Sequence, residues 1–125
     1  MLLDSSNGQT GDKIMLLSPR LSLSNSSLLK FSYHMWLNES DTDGALAVYR
    51  YTRLHTYDML LFEARGNGGN KWLSGEACIP AGNYTLAFVG TVGLPLSSDI
   101  AVDNIEVTED SGCDRPSLRG LVFTR

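Results

Sequence analysis

Residues 28–37, LLKFSYHMWL, place Leu29, Phe31, Tyr33, Met35 and Leu37 at every second position, with Leu28, Lys30, Ser32, His34 and Trp36 between them. Side chains of an extended chain alternate between the two faces of a sheet, so this run gathers five large apolar groups on one face. A one-residue slip in pairing would turn all of them to water, so the register of this strand is strongly specified. A face of that kind has to be covered by another apolar layer. That requirement points to a packed β-sheet structure.

The rest of the chain follows the same grammar. Residues 14–17, 45–51, 59–64, 72–79, 84–89 and 100–107 read as further short strands, and helical periodicity is almost absent. Residues 5–13 form a polar, glycine-containing loop, and Ser18-Pro19 ends the first strand because proline has no N–H to give a ladder. The turn NESDTDG at 38–44 closes on Asp43-Gly44, a pair that favours hairpins. Gly66-Asn67-Gly68-Gly69-Asn70 reads as a mobile hairpin loop; it lacks the lysine and hydroxyl residue of a phosphate loop, and no helix follows it. Pro80-Ala81-Gly82-Asn83 makes another turn. Strands recurring at about ten-residue intervals predict an all-β sandwich or barrel. Residues 114–125 lose the alternation, are net basic, and read as a linker or unstructured tail.

A chain of 125 residues suits one domain around one core, and 42% hydrophobic with 19% charged residues is a globular composition. The net charge of −4 offers no field for nucleic acid or an anionic membrane. No apolar run approaches the roughly 20 residues of a membrane helix, so no insertion into a bilayer is expected. Met1-Leu2-Leu3 runs straight into Asp4, and no signal peptide is visible. Three sequons nevertheless favour an extracellular setting: Asn25-Ser26-Ser27, Asn38-Glu39-Ser40 and Asn83-Tyr84-Thr85. Each falls at an expected strand end or turn, where a glycan is tolerated. Two cysteines, Cys78 and Cys113, share no metal-ligand spacing.

Residues 98–107, SDIAVDNIEV, alternate like a strand yet put Asp103 in phase with Ala101, Ile105 and Val107. On a buried face an unpaired carboxylate costs several kcal/mol. Such an acid is expected to be paired, hydrogen-bonded or bound to a cation.

The order MLLDSS, GDK-x-x-LLSP, LLKFSYHMWL, GALAVY, a glycine-rich loop before Trp72, GNYTLAFVGTVG and SDIAVDNIEV closing at Cys113 resembles the MAM domain. The resemblance spans residues 1–113 and implies a jelly-roll-like sandwich of two antiparallel sheets. It also implies that the opening, cysteine-bearing strands of the family domain are missing, which would leave sheet edges exposed. Members serve adhesion or recognition in ectodomains and secreted proteins, without catalysis in the domain itself.

This chain departs from the family pattern at two informative places. The cysteine that usually pairs with the terminal one is replaced by Leu28; Cys78 is then the intrachain candidate for Cys113, unless its own mate lay in the missing segment. The usual paired acids are Asp103-Asn104, leaving one carboxylate. Some members hold a cation, so Asp103, with Asp4 and Asp99, is a candidate ligand set for Ca or Na; the competing role for Asp103 is a structural acid bonded to backbone amides. No other cofactor is implied.

His34 and His55 have no ligand-like spacing and read as structural or surface residues, and no serine sits in a Gly-x-Ser-x-Gly elbow. Trp36, in the polar phase of its strand, is the interface candidate, whereas Trp72 is expected in the core. Together these features predict a non-catalytic extracellular module of a larger membrane or secreted protein, mediating adhesion or receptor–ligand recognition with a protein partner. A lectin-like jelly roll using Trp36 and the acidic turn 38–43 is one alternative. An accessory domain of a secreted metalloprotease or receptor phosphatase is another.

Overall fold

A computed structural model describes residues 2–4, 13–37, 44–52, 57–91 and 99–113, which fold into nine strands without a helix. These are β1 (Leu2–Asp4), β2 (Lys13–Leu17), β3 (Leu21–Leu23), β4 (Ser27–Trp36), β5 (Ala45–Tyr51), β6 (Tyr57–Arg65), β7 (Trp72–Ile79), β8 (Gly82–Thr91) and β9 (Asp99–Glu109). One sheet has the order β1-β9-β4-β7 and the other β2-β8-β5-β6, all antiparallel, with β3 also paired to β8. This is the expected jelly-roll-like sandwich. The expected tail, residues 114–125, lies outside the described residues.

β2 and β3 share one edge of β8, and Ser18 makes that possible. Its N–H donates to the Leu86 carbonyl at 2.9 Å, while its Oγ accepts from the Leu86 N–H at 2.9 Å. The hydroxyl thus stands in for a ladder carbonyl just where Pro19 breaks the run. The chain steps out for two residues and rejoins β8 at Leu21, opposite Tyr84. Proline therefore ends β2 as expected, and a short strand that the alternation did not reveal resumes after it.

The core lies between the sheets. The inward side chains of β4, Leu29, Phe31 and Met35, are buried against Leu46 and Val48 of β5, Leu86 and Phe88 of β8, and Ile100 and Val102 of β9. Phe31 meets Phe62 edge-on at a centroid distance of 5.0 Å and Phe88 at 5.5 Å, so rings from three strands interlock. Such contacts are worth about 0.5–1.5 kcal/mol each beyond burial. Room for the Phe31 ring comes from its β7 neighbour. On β7 it faces Gly75, where an added Cβ would lie within 2.9 Å of three atoms of the ring.

On β9 it faces a bulge. Lys30 pairs with Glu106 and Ser32 with Asp103, leaving Asn104 and Ile105 together opposite Phe31. Asn104 takes a left-handed conformation, φ 53°, which asparagine tolerates better than most residues. The extra residue reverses the phase of the strand. Ile100 and Val102 point inward before it, and Ile105 and Val107 pack against the core after it. Asp103 is consequently exposed on the outer face, in phase with Ala101 but out of phase with Ile105 and Val107. The expectation of a carboxylate on the buried face is corrected by this one-residue insertion.

At the far end of β4, Cys78 and Cys113 form a disulfide with Cα atoms 5.6 Å apart. Cys78 is the direct cross-strand partner of Leu28. The terminal cysteine therefore bonds a sulfur one strand over from the position where the family pattern places its mate.

Two substitutions test this packing. Gly75→Ala should lower stability by about 1–3 kcal/mol, the usual cost of overpacking a filled core. Gly112→Ala, whose new Cβ would meet only Asp110 Oδ1 at 3.6 Å, should leave the urea midpoint unchanged; equal midpoints for both variants would remove Phe31 as the reason for the glycine. Replacing Cys78 and Cys113 by serine opens a bridge across 35 residues. The loss should be about 3–4 kcal/mol in the same measurement, from the restored freedom of the unfolded chain.

Candidate interaction surface

The even-numbered residues of β4 face away from the core, and cross-strand pairing sorts the outer face of this sheet into rows. Trp72, His34 and Ala101 form one row; Ser74, Ser32 and Asp103 the next; Glu76, Lys30 and Glu106 the third. Trp36 lies beyond His34, with Asp99 as its β9 partner.

Trp36 is 49% and Trp72 54% exposed. His34 sits between them, its ring centroid 6.5 Å from that of Trp36 and 5.5 Å from that of Trp72. The outward placement of Trp36 follows its phase in the strand. Trp72 was expected in the core, and the structure corrects this: it is the cross-strand partner of outward-facing His34. The signal was in its own strand, since Leu73, Gly75, Ala77 and Ile79 occupy the inward phase and leave Trp72 the other.

Residues 66–71 hold the aromatic pair from one side. This segment leaves β6 in one sheet and enters β7 in the other, so it is a crossover rather than the hairpin expected. It is also pinned. Gly66 N–H donates to Gly44 O at 3.1 Å and Gly68 N–H to Met35 O at 2.8 Å. Asn67 Oδ1 accepts from Leu37 N–H at 3.0 Å and from Gly69 N–H at 2.9 Å. Gly66 and Gly69 have φ near +80° (83° and 81°), which the tight path needs. Anchored in this way, the loop brings Asn70 Oδ1 to 3.1 Å from His34 Nε2. That bond and the two indoles orient the imidazole, so its neighbours among the described residues are an amide and two aromatic rings. Next to the pair, a shallow depression of about 270 Å³ is lined by Lys30, Ser32, Ser74, Glu76 and Asn104, with Phe31 and Gly75 at its floor.

The other sequence-derived candidates are dispersed. Asp103 Oδ1 accepts the N–H of Asn104 at 2.8 Å, which stabilises the bulge. Asp4 and Asp99 are backbone partners in β1 and β9. Asp103 is four residues further along β9, about 13 Å away at strand rise, whereas ligands of one Ca ion lie about 2.3–2.6 Å from it. Among the described residues no group of three or more His, Cys, Asp or Glu could hold a metal ion. Asn25 is exposed in the connection between β3 and β4. Asn83 is exposed on β8 and accepts from Ser22 Oγ at 2.6 Å through Oδ1, which leaves its amide nitrogen, the glycan-bearing atom, outside that bond. Both lie near the disulfide end of the sandwich, about 30 Å along β4 from Trp36 at strand rise. Asn38, the turn 38–43 and His55 lie outside the described residues.

Two antiparallel sheets packed face to face, tied by a disulfide and bearing an aromatic row on one outer face, define a jelly-roll-like β-sandwich. The family model for the MAM domain (meprin/A5/mu) matches residues 1–114. The chain belongs to the MAM family. It is 31% identical over 120 residues to neuropilin-1a of Danio rerio, covering 91% of this chain and 13% of that protein. It is 30% identical over 111 residues to MAM domain-containing glycosylphosphatidylinositol anchor protein 1 of Gallus gallus, covering 87% of this chain and 11% of that protein. The chain thus spans only a small part of the length of either relative. Among solved structures, the K1 cleaved adhesin domain of Lys-gingipain from Porphyromonas gingivalis aligns with a TM-score of 0.68 at 18% identity, over 87% of this chain and 73% of that one. The K3 domain of the same protein gives 0.61, also at 18% identity, over 76% and 63%. At that identity the likeness is one of fold.

Both tryptophans of the chain lie on this face. Intrinsic tryptophan emission of the native protein should therefore be red-shifted and readily quenched by acrylamide, with little further shift on unfolding. A blue, protected emission would mean that the indoles are covered.

Proposed function

We propose that this chain is a non-catalytic extracellular recognition module, serving adhesion or receptor–ligand binding within a larger membrane or secreted protein. Its contact surface is the outer face of the β1-β9-β4-β7 sheet, centred on Trp36, His34 and Trp72. The observation that carries this reading is the pair of half-exposed indoles on one sheet face, since large apolar side chains left together on a surface mark a binding site. Family membership and the names of the two relatives support the recognition role. A disulfide between distant residues suits an oxidising compartment, and so do the exposed asparagines of two sequons.

Chemistry supports the absence of catalysis. His34 has an amide and two indoles around it rather than a nucleophile or an orienting carboxylate. The net charge of −4 disfavours nucleic acid and anionic lipid as partners, and no helix among the described residues is long and apolar enough to cross a membrane.

A dimeric fusion of the secreted protein should bind the surface of a subset of cultured cell lines. Trp36→Ala with Trp72→Ala should reduce that binding at least tenfold while leaving the melting temperature unchanged, because neither indole fills the core. Binding to no cell line, or undiminished binding by the double variant, would overturn the assignment of this face.

A further inference from the structure

We propose that the ligand of this face is a neutral oligosaccharide, seated across Trp36 and Trp72 with its hydroxyls directed into the polar rows alongside. The inference rests on the recognition reading above and names the chemistry that is recognised.

A pyranose ring has an apolar face of C–H groups and a rim of hydroxyls. It therefore calls for an exposed aromatic surface immediately beside short polar side chains that can both donate and accept. The outer face of this sheet has that composition. Trp72 is the cross-strand partner of His34, and Trp36 lies two residues further along β4, so the indoles are diagonal neighbours. Their backbones are about 7–8 Å apart. That separation suits adjacent rings of an oligosaccharide better than a single sugar. The depression of about 270 Å³ beside them offers Ser32 and Ser74 hydroxyls, the Glu76 carboxylate, the Asn104 amide and the Lys30 ammonium. Asn70 adds a further amide at the edge, already bonded to His34.

The same composition argues against a protein partner at this spot. Centres of protein–protein interfaces are enriched in aromatic residues and depleted in Lys, Glu, Asp and Ser. Here His34 lies between the two indoles, and the next rows carry Ser32, Ser74 and Asp103 and then Lys30, Glu76 and Glu106. A protein surface laid over them would strip water from charges it had no general means of pairing, whereas the hydroxyl rim of a sugar replaces that water group by group.

Charge narrows the class. In the polar rows Glu76 and Glu106 both flank Lys30, and Asp103 lies one row away, so carboxylates outnumber the cation. Added to a chain charge of −4, this disfavours sulfated and sialylated chains and leaves neutral glycans.

The test is an array carrying high-mannose and desialylated N-glycans, neutral glycolipid oligosaccharides, heparin and sialylated glycans, probed with the dimeric fusion. Hits are then titrated as free oligosaccharides by tryptophan emission, which reports this face directly. Expected are binding to one or more neutral structures with an emission change, at least a tenfold affinity loss in Trp36→Ala and in Trp72→Ala, and no preference for heparin or sialylated glycans. The N-glycan and glycolipid arms separate the two sources of the same chemistry. The inference is overturned if no neutral oligosaccharide binds, if anionic chains are preferred, or if binding survives both substitutions. Should sugars neither bind nor compete while the double variant still loses cell binding, the face stands as a recognition surface and the glycan falls. Unaltered cell binding by that variant would remove both.

Discussion

The packing of one ring governs much of this molecule. Phe31 stands at the middle of β4 and touches aromatic rings from two strands of the opposite sheet, Phe62 of β6 and Phe88 of β8, in edge-on geometry. On one flank its cross-strand partner is Gly75, where a side chain would run into the ring, and on the other the pairing is interrupted by an extra residue at Asn104. The bulge then sets the phase of β9, and the phase decides which of its side chains meet water. Asp103 is outside because the extra residue after it separates its phase from that of Ile105 and Val107.

How far the sequence discloses this depends on whether the determinant is local. β4, β5 and β7 announce themselves by composition and alternation, and residues 45–51 and 72–79 agree with β5 and β7 to the residue. Where the chain pairs beyond its neighbours, local pattern falls silent. Three-residue β3 is too short to alternate and is recognisable only by its pairing with β8. Glycines and asparagines at 66–70 announce a turn, but whether the chain returns to the same sheet or crosses to the other is decided by what β7 pairs with. Asp103 and Trp72 depart from local expectation for opposite reasons. In β9 an asparagine breaks the alternation that residues 98–107 display, while in β7 the phase set by Leu73 and Ile79 outweighs the apolar bulk of the indole. The bond between Cys78 and Cys113 likewise needed the register of β7 against β4, which no spacing rule supplies.

The division of labour within β4 ties the aromatic face to the core. Its odd residues form the centre of the core, and its even residues carry Lys30, Ser32, His34 and Trp36 to the surface. Every outward side chain is therefore mounted on a backbone whose neighbouring residues are buried or, at Tyr33, packed against the core. The crossover loop adds its own constraint, because the bonds that hold Asn67 to the end of β4 also bring Asn70 over His34. Binding to such a surface forfeits little conformational entropy, and the indoles themselves have few rotatable bonds to freeze.

The position of the disulfide has a mechanical consequence. β9 is held in its sheet by hydrogen bonds to β4 and β1, and such a strand, pulled from its end, unzips one pair at a time. In this chain residue 113, beyond the end of β9, is tied to residue 78 in β7, on the other side of β4. Tension arriving from residues after Cys113 passes through the sulfur atoms into β7 and bypasses the ladder of β9. Exchanging the cysteine of one strand for that of its neighbour therefore redirects traction across the width of the sheet, and the terminal strand stays seated while the covalent strap takes the pull.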